Sequence, residues 1–255
     1  MKAYKVLEWL ISLSDIKSNP TVDTIKEGNP DKEVKRVAVC FIATPDVIKA
    51  AYDWGADMLI THEPTYHDHY DSFEGNPVLL EKKRLIESTG MVVARYHDHA
   101  HTMNPDIIHY GFLNTLDLDF EITQRRMINL KNPITPYNLA RLIEEKNGVK
   151  HVRIVGKTDF EASRLALFLG ACGDISHIPL KDGLADISIC GEVCEWKCCE
   201  YVRDASQLGR NMAMLILGHV GSERDGMKLV ADKINNELGI EAKYLECGEV
   251  YSYTD

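Results

Sequence analysis

Short apolar runs alternate along the chain with amphipathic stretches, the order of an α/β protein in which helices join buried parallel strands. Continuous apolar runs predict strands over 37–43, 58–61, 91–96, 164–169, 187–190, 212–217 and 242–246. Apolar positions three and four apart predict helices over 4–13, 46–54, 77–88, 136–146, 196–208 and 223–238. The last helix has Ser222 as its expected cap, Glu223 in the first turn, Asp225 three residues on and Gly239 as its stop.

Two stretches repeat one pattern. Arg36 and Ala38 lead through a helical segment to Ala56-Asp57, Ile60 and Glu63, and Arg164 and Ala166 lead to Ala185-Asp186, Ile189 and Glu192. Buried strands resemble one another by composition alone. The matched Arg, Ala-Asp and Glu go beyond composition and argue for internal duplication. The fold expected is therefore α/β with two related lobes, each offering strand ends of the kind that bind ligands in such sheets. Leu130–Pro136, polar and punctuated by proline, is the expected crossing between them. That divides the chain into a discontinuous first lobe, 1–128 with 220–255, and a second lobe, 129–219.

Composition narrows the function classes. A chain of 255 residues has room for one large or two modest domains, and 45% hydrophobic with 27% charged residues is ordinary for a folded protein. Thirty-nine acids against 29 Lys and Arg leave a net charge of −10, which argues against a nucleic-acid-coating or anionic-membrane role. No apolar run approaches the roughly 18 residues of a membrane span. The N-terminal Met1–Leu10 reads as an amphipathic helix, not a signal peptide. With seven cysteines, an odd number in a chain of this size, a reducing cytoplasm is the expected setting. Cys190, Cys194, Cys198 and Cys199 lack the Cys-x-x-Cys pairs of a zinc knuckle and are expected to be buried free thiols.

The candidate chemistry lies in the ten histidines. His62 and Glu63 follow a predicted strand. Pro64, and a second histidine five positions from His62, exclude the helical His-Glu-x-x-His of zincins, and His67 and His69 are expected in a solvated loop. Another strand runs into His97-Asp98-His99-Ala100-His101. An extended chain would set His97, His99 and His101 on one face with Asp98 opposite, whereas a turn would let any three of the four converge. Such groups are costly to bury unpartnered and suit metal coordination. His219 ends a third predicted strand, and Glu223 follows four residues later across the turn into a helix. These strand ends carry enough donors for two metal ions.

Three motifs carry a family resemblance. Gly55-Ala56-Asp57, Ile60 and His62-Glu63-Pro64 resemble the element G-A-D-x-x-I-x-H-H-P. Cys190-Gly191-Glu192 resembles T-G-E or T-G-D, and Gly218-His219 with Glu223-Arg224 resembles G-H-x-x-x-E-R. In this order and at these distances they resemble the Ngg-one-interacting-factor-three-like (NIF-three-like) proteins, also catalogued as GTP cyclohydrolase one type two homologues. The resemblance implies a dinuclear metal centre in a cleft between the two lobes and assembly into a toroidal homohexamer. It also implies as ligands His62, His97, His101, His219 and Glu223, with Glu223 bridging two divalent transition-metal ions (zinc, iron, manganese or cobalt). Two departures stand out. Glu63 occupies the second histidine's position and is assigned as ligand or base. The family's H-T-x-L-D is altered: aligning His97 with its histidine puts His101 at the aspartate, while aligning His101 instead puts Asp106 one residue late. The first alignment keeps Arg95-Tyr96 in register. Asp98 or His99 is then a proton shuttle or an orienting group. The expected function is a metal-dependent hydrolase of a small molecule, with cyclohydrolase chemistry implied by resemblance only, since no Gly-rich phosphate cradle is evident. The alternative is a non-enzymatic metal-binding or adaptor protein working as a homo-oligomer. Neither a membrane nor a nucleic acid is an expected partner.

Overall fold

The computed structural model describes residues 1–72 and 75–254. In chain order, α1 (Ala3–Ser12), β1 (Ile25–Glu27), β2 (Arg36–Cys40), α2 (Pro45–Asp53), β3 (Met58–Thr61), α3 (Pro77–Thr89), β4 (Val92–Arg95) and the single turn α4 (Asp98–His101) come first. Next come α5 (Ile107–Thr115), β5 (Phe120–Gln124), β6 (Met127–Ile134), α6 (Pro136–Asn147), β7 (Arg153–Gly156) and β8 (Ala162–Phe168). They are followed by α7 (Ile178–Lys181), β9 (Ile187–Cys190), a π-helical turn (Glu195–Cys199), α8 (Glu200–Gln207) and β10 (Ala213–Ile216). α9 (His219–Lys233), a second π-helical turn (Ile234–Leu238) and β11 (Glu241–Tyr244) complete the described elements. Three helices begin on the residues their sequences advertise: Thr44, Asn76 and Thr135 each accept a backbone N–H of the first turn and each precede a proline.

The described residues pack as two units, Met1–Ile108 with Gly226–Glu249, and His109–Asp225 with 250–254. The first holds a sheet of order β1-β4-β3-β2-β11, in which β1 alone is antiparallel to its neighbour. Every residue of β3 and β4 is buried, because core lies on both faces, and this is why they read as unbroken apolar runs. Val6, Leu10 and Met227 cluster with Val37 and Ile60 in one core. Val47, Ile48 and Ile86 cluster with Leu59 in the other. Each fully buried aliphatic side chain of this kind contributes about 1.5–3 kcal/mol.

The second unit holds a sheet of order β5-β6-β8-β9-β10-β7, of which β8, β9 and β10 are parallel. The repeat read in the sequence appears here as matched register. Val37, Met58 and Val92 align across β2-β3-β4, and Leu165, Ile187 and Ala213 align across β8-β9-β10. Asp57 Oδ2 accepts the amides of Lys35 and Arg36, and Asp186 Oδ2 accepts those of Ser163 and Arg164. The repeated aspartate therefore ties down the start of the neighbouring parallel strand in both units. An antiparallel edge strand flanks the third strand in each case, β1 beside β4 and β7 beside β10.

Several boundaries differ from expectation. Residues 109–128, expected with the first lobe, supply Phe112, Leu113 and Leu116 to the second unit's core and β5 to its sheet. Leu130–Pro136 is not a crossing. It carries the end of β6, whose register shifts between Asn129 and Ile134, and the first residue of α6. The alternation of buried Ile128 and Leu130 with exposed neighbours marks β6 as a strand with one covered face. α9 begins at His219 rather than 223, because Gly218, at φ +84°, turns the chain sharply out of β10. Ser222 thus lies inside the helix, where its hydroxyl donates to His219 O at 2.8 Å and accepts the Gly170 amide at 3.0 Å. Residues 220–225, expected with the first lobe, include Arg224 and Asp225, which bond Asn147 of the second unit. Among the described residues no helix is long and apolar enough to cross a membrane.

Candidate metal centre

His62 follows β3 directly and is buried. Its Nδ1 lies 3.0 Å from the Tyr96 carbonyl oxygen, which can only accept, so Nδ1 carries the proton and Nε2 the lone pair. His97 stands two residues beyond β4, and the chain then closes into α4. One helical turn sets His97 and His101 on the same side. The ring centroids are 4.7 Å apart for His62 and His97, 5.1 Å for His62 and His101, and 5.0 Å for His97 and His101. One ligating atom from each of the three lies within 4.8 Å of the other two.

The other two rings are oriented as His62 is. His97 Nδ1 lies 2.9 Å from Asp98 Oδ1, and His101 Nδ1 lies 3.3 Å from Asp106 Oδ2. A carboxylate or carbonyl behind each Nδ1 is the arrangement that fixes a ligating imidazole's tautomer and raises its basicity. Burial pushes the His97 imidazole below its ordinary 6.5, against the opposing pull of Asp98, and proximity to His62 and His101 pushes the same way. The neutral ring is the form that binds metal. The hydrogen bond from His97 holds the Asp98 carboxyl well below the usual carboxylate range, helped by the Val22 amide and the Thr21 hydroxyl. By donor chemistry this set fits a divalent transition metal such as zinc, iron, manganese or cobalt.

Glu63 stands beside the cluster, with Oε1 3.9 Å from His97 Nε2 and Oε2 4.0 Å from an Arg95 guanidinium nitrogen. Arg95 is buried, and it donates to the carbonyls of His62 at 3.0 Å and His69 at 2.8 Å. It gives Glu63 a cationic neighbour and ties down the loop after β3. Its signal in the sequence, a charge closing an apolar strand, is easily passed over. His99 is not part of the cluster. The helical turn replaces the extended course that would have aligned it with His97 and His101, and its Nδ1 instead lies 2.6 Å from Asp23 Oδ2. His67 and His69 lie in an exposed loop.

In the second unit His219 and Glu223 are one turn apart on α9, with His219 Nε2 3.1 Å from Glu223 Oε2. His219 Nδ1 lies 2.8 Å from Oε1 of Glu192, which closes the second copy of the repeated pattern just past β9. Gly170, at φ +72°, passes so close that a Cβ would sit 2.2 Å from Glu223 Oε1 and 3.3 Å from His219 Nε2. Any other residue there would be strained by the positive φ and would push the Glu223 carboxylate aside, a constraint invisible in local sequence. All seven cysteines are free, burial pushes the Cys40 and Cys190 thiols up to about 12, and none joins a metal-competent group among the described residues.

The family model for Duf34/NIF3 (NGG1p interacting factor 3) matches residues 1–248. The chain belongs to this family. Among curated NIF3 relatives, a GTP cyclohydrolase 1 type 2 homolog of Clostridium perfringens is 24% identical over 233 residues, covering 86% of this chain and 84% of that one. A protein of the same description from Buchnera aphidicola is 22% identical, covering 94% and 96%. Among solved structures, Staphylococcus aureus protein SA1388 matches with a TM-score of 0.77 at 16% identity and covers 99% of both chains. Reduced HcgD from Methanocaldococcus jannaschii matches with a TM-score of 0.72 at 18% identity, covering 96% and 98%. At these identities the structural matches establish the NIF3 fold.

Proposed function

We propose that this NIF3 protein binds divalent transition metal through His62, His97 and His101, and that it is a metal-dependent hydrolase of a small molecule. What carries the reading is the orientation of the three rings: each presents Nδ1 to an oxygen acceptor, and their ligating atoms fall within 4.8 Å of one another. His219 and Glu223 are the donors assigned to a second ion, with Glu192 behind His219 in the orienting position that Asp98 takes behind His97. Bound metal would supply Lewis acidity toward a carbonyl, imine or phosphoryl oxygen and lower the pKa of a water.

The protein's own groups divide the remaining work. Glu63, beside His97 and next to Arg95, either completes the coordination or accepts a proton from attacking water. Asp98 holds the His97 ring in its ligating tautomer rather than moving protons, since the Val22 amide and Thr21 hydroxyl already engage its second oxygen. His99, held by Asp23, is withdrawn from the shuttle role. The cyclohydrolase name of the relatives supports ring-opening hydrolysis as the first class to try.

Metal analysis of protein purified without chelator tests the binding claim: about two equivalents per chain are expected, and none would sink it. A turnover screen of phosphoesters, cyclic amides and nucleotides with metal-loaded protein tests the hydrolase claim. Turnover of none under any divalent ion, with metal still bound, would leave a non-enzymatic metal-binding protein.

A further inference from the structure

Resting on the metal-binding reading, we propose that Asp23 is the positioning residue that decides which histidines face the ion. Asp23 lies in the loop before β1 and its side chain is fully buried. Its Oδ1 accepts the amides of His97 at 2.5 Å and Asp98 at 3.1 Å. Its Oδ2 accepts the amide of His99 at 2.8 Å and the His99 Nδ1–H at 2.6 Å. One carboxylate thus gathers three consecutive backbone N–H groups and a side-chain donor, from a position 76 residues away from His99.

The turn needs this help. α4 has only four residues, and His97, at its N-cap position, makes no capping bond of its own. A single turn does not pay back its own ordering entropy. Asp23 supplies from a distant loop what a cap residue supplies locally. Its neighbours add to the bracket, since Thr21 and Val22 both bond the far oxygen of Asp98. The consequence is selective. Extended, this segment would turn His97, His99 and His101 to one side. Wound onto Asp23, it stacks His97 and His101 one turn apart and takes His99 out of the set. Asp23 acts only through the backbone and His99.

Cobalt(II) is the probe. Its affinity, by chelator competition, and its visible spectrum are measured for the intact wild-type chain, Asp23→Ala and Asp23→Asn, together with amide hydrogen exchange at 97–99 in the metal-free proteins. The alanine variant is expected to bind cobalt about ten- to a hundredfold more weakly, with altered visible bands. Asparagine keeps an oxygen for the first two amides but cannot accept from His99, so an intermediate loss with faster exchange at the His99 amide is expected. If the alanine variant does not fold, the asparagine variant decides. Wild-type affinity, spectrum and exchange in a folded variant would overturn the proposal. A wild-type chain that takes up no cobalt would instead overturn the metal reading, and the exchange data would still judge the role of Asp23 in the turn.

Discussion

At the scale of single residues the centre depends as much on what stands behind each imidazole as on the imidazole. Replacing Asp98 with Ala leaves His97 in place but frees its ring to rotate and change tautomer. Metal affinity should fall about ten- to a hundredfold, measured by calorimetric titration, with His97→Ala falling further because a ligand is lost outright. The pH dependence of the metal-free protein follows from the same pair. His97 titrates below its ordinary 6.5 in the folded chain, so as pH falls through 6.5 the unfolded chain takes up a proton that the folded chain refuses, and stability declines. His177 is also lowered, chiefly by burial, and adds to this slope. The contribution of Asp98 has the same sign in a lower window: it is complete above its ordinary 3.8 and is lost as pH falls below that value toward its folded pKa. Urea titrations from pH 8 to 3 should show decline beginning near 6.5, and His97→Asn should flatten that first stage. Unchanged slope in the variant would remove His97 from the account.

At the scale of elements, α9 tests how far packing outweighs propensity. Gly226 sits in this helix, where alanine ordinarily gains about 1 kcal/mol. Here a Cβ would lie 2.5 Å from the Cα of Ile108 and 3.0 Å from the carbonyl of Ile107, so backbone must shift. Gly226→Ala is expected to destabilise by about 1–3 kcal/mol, read from the denaturation midpoint; a gain would show that the close approach is relaxed. β3 and β9 were legible to the residue, and β2, β4, β8 and β10 within a few residues, because both faces are covered and burial leaves an unbroken apolar run. β5 and β7 left no such mark: they lie at the sheet edges, and most of their positions reach solvent. β1, three half-buried residues, is no easier to read.

At the scale of the whole molecule, metal should act as a folding ligand. A cation that binds the native chain and not the unfolded one adds about 2.7 kcal/mol at a free concentration of 100 times its dissociation constant. The thermal midpoint should therefore rise with added zinc or cobalt, return with chelator, and respond less in His97→Ala; a midpoint indifferent to metal would count against the site. Of the acids behind the net charge of −10, Asp98, Asp106 and Glu63 stand against the imidazoles of the candidate centre.

By itself the sequence determined the α/β class, the parallel strands of both sheets, the repeat, and the placing of His62, His97 and His219 at strand ends. Each of these is written in the burial of consecutive side chains, which periodicity reports. The turn that holds His99 on Asp23, the acceptor behind His62, and the close passage of Gly170 were decided only by tertiary structure. Those depend on hydrogen-bond partners and backbone approaches carried in by other segments. The Tyr96 carbonyl stands 34 positions from His62 and Asp23 stands 76 from His99, and local pattern holds no record of groups that only folding brings together.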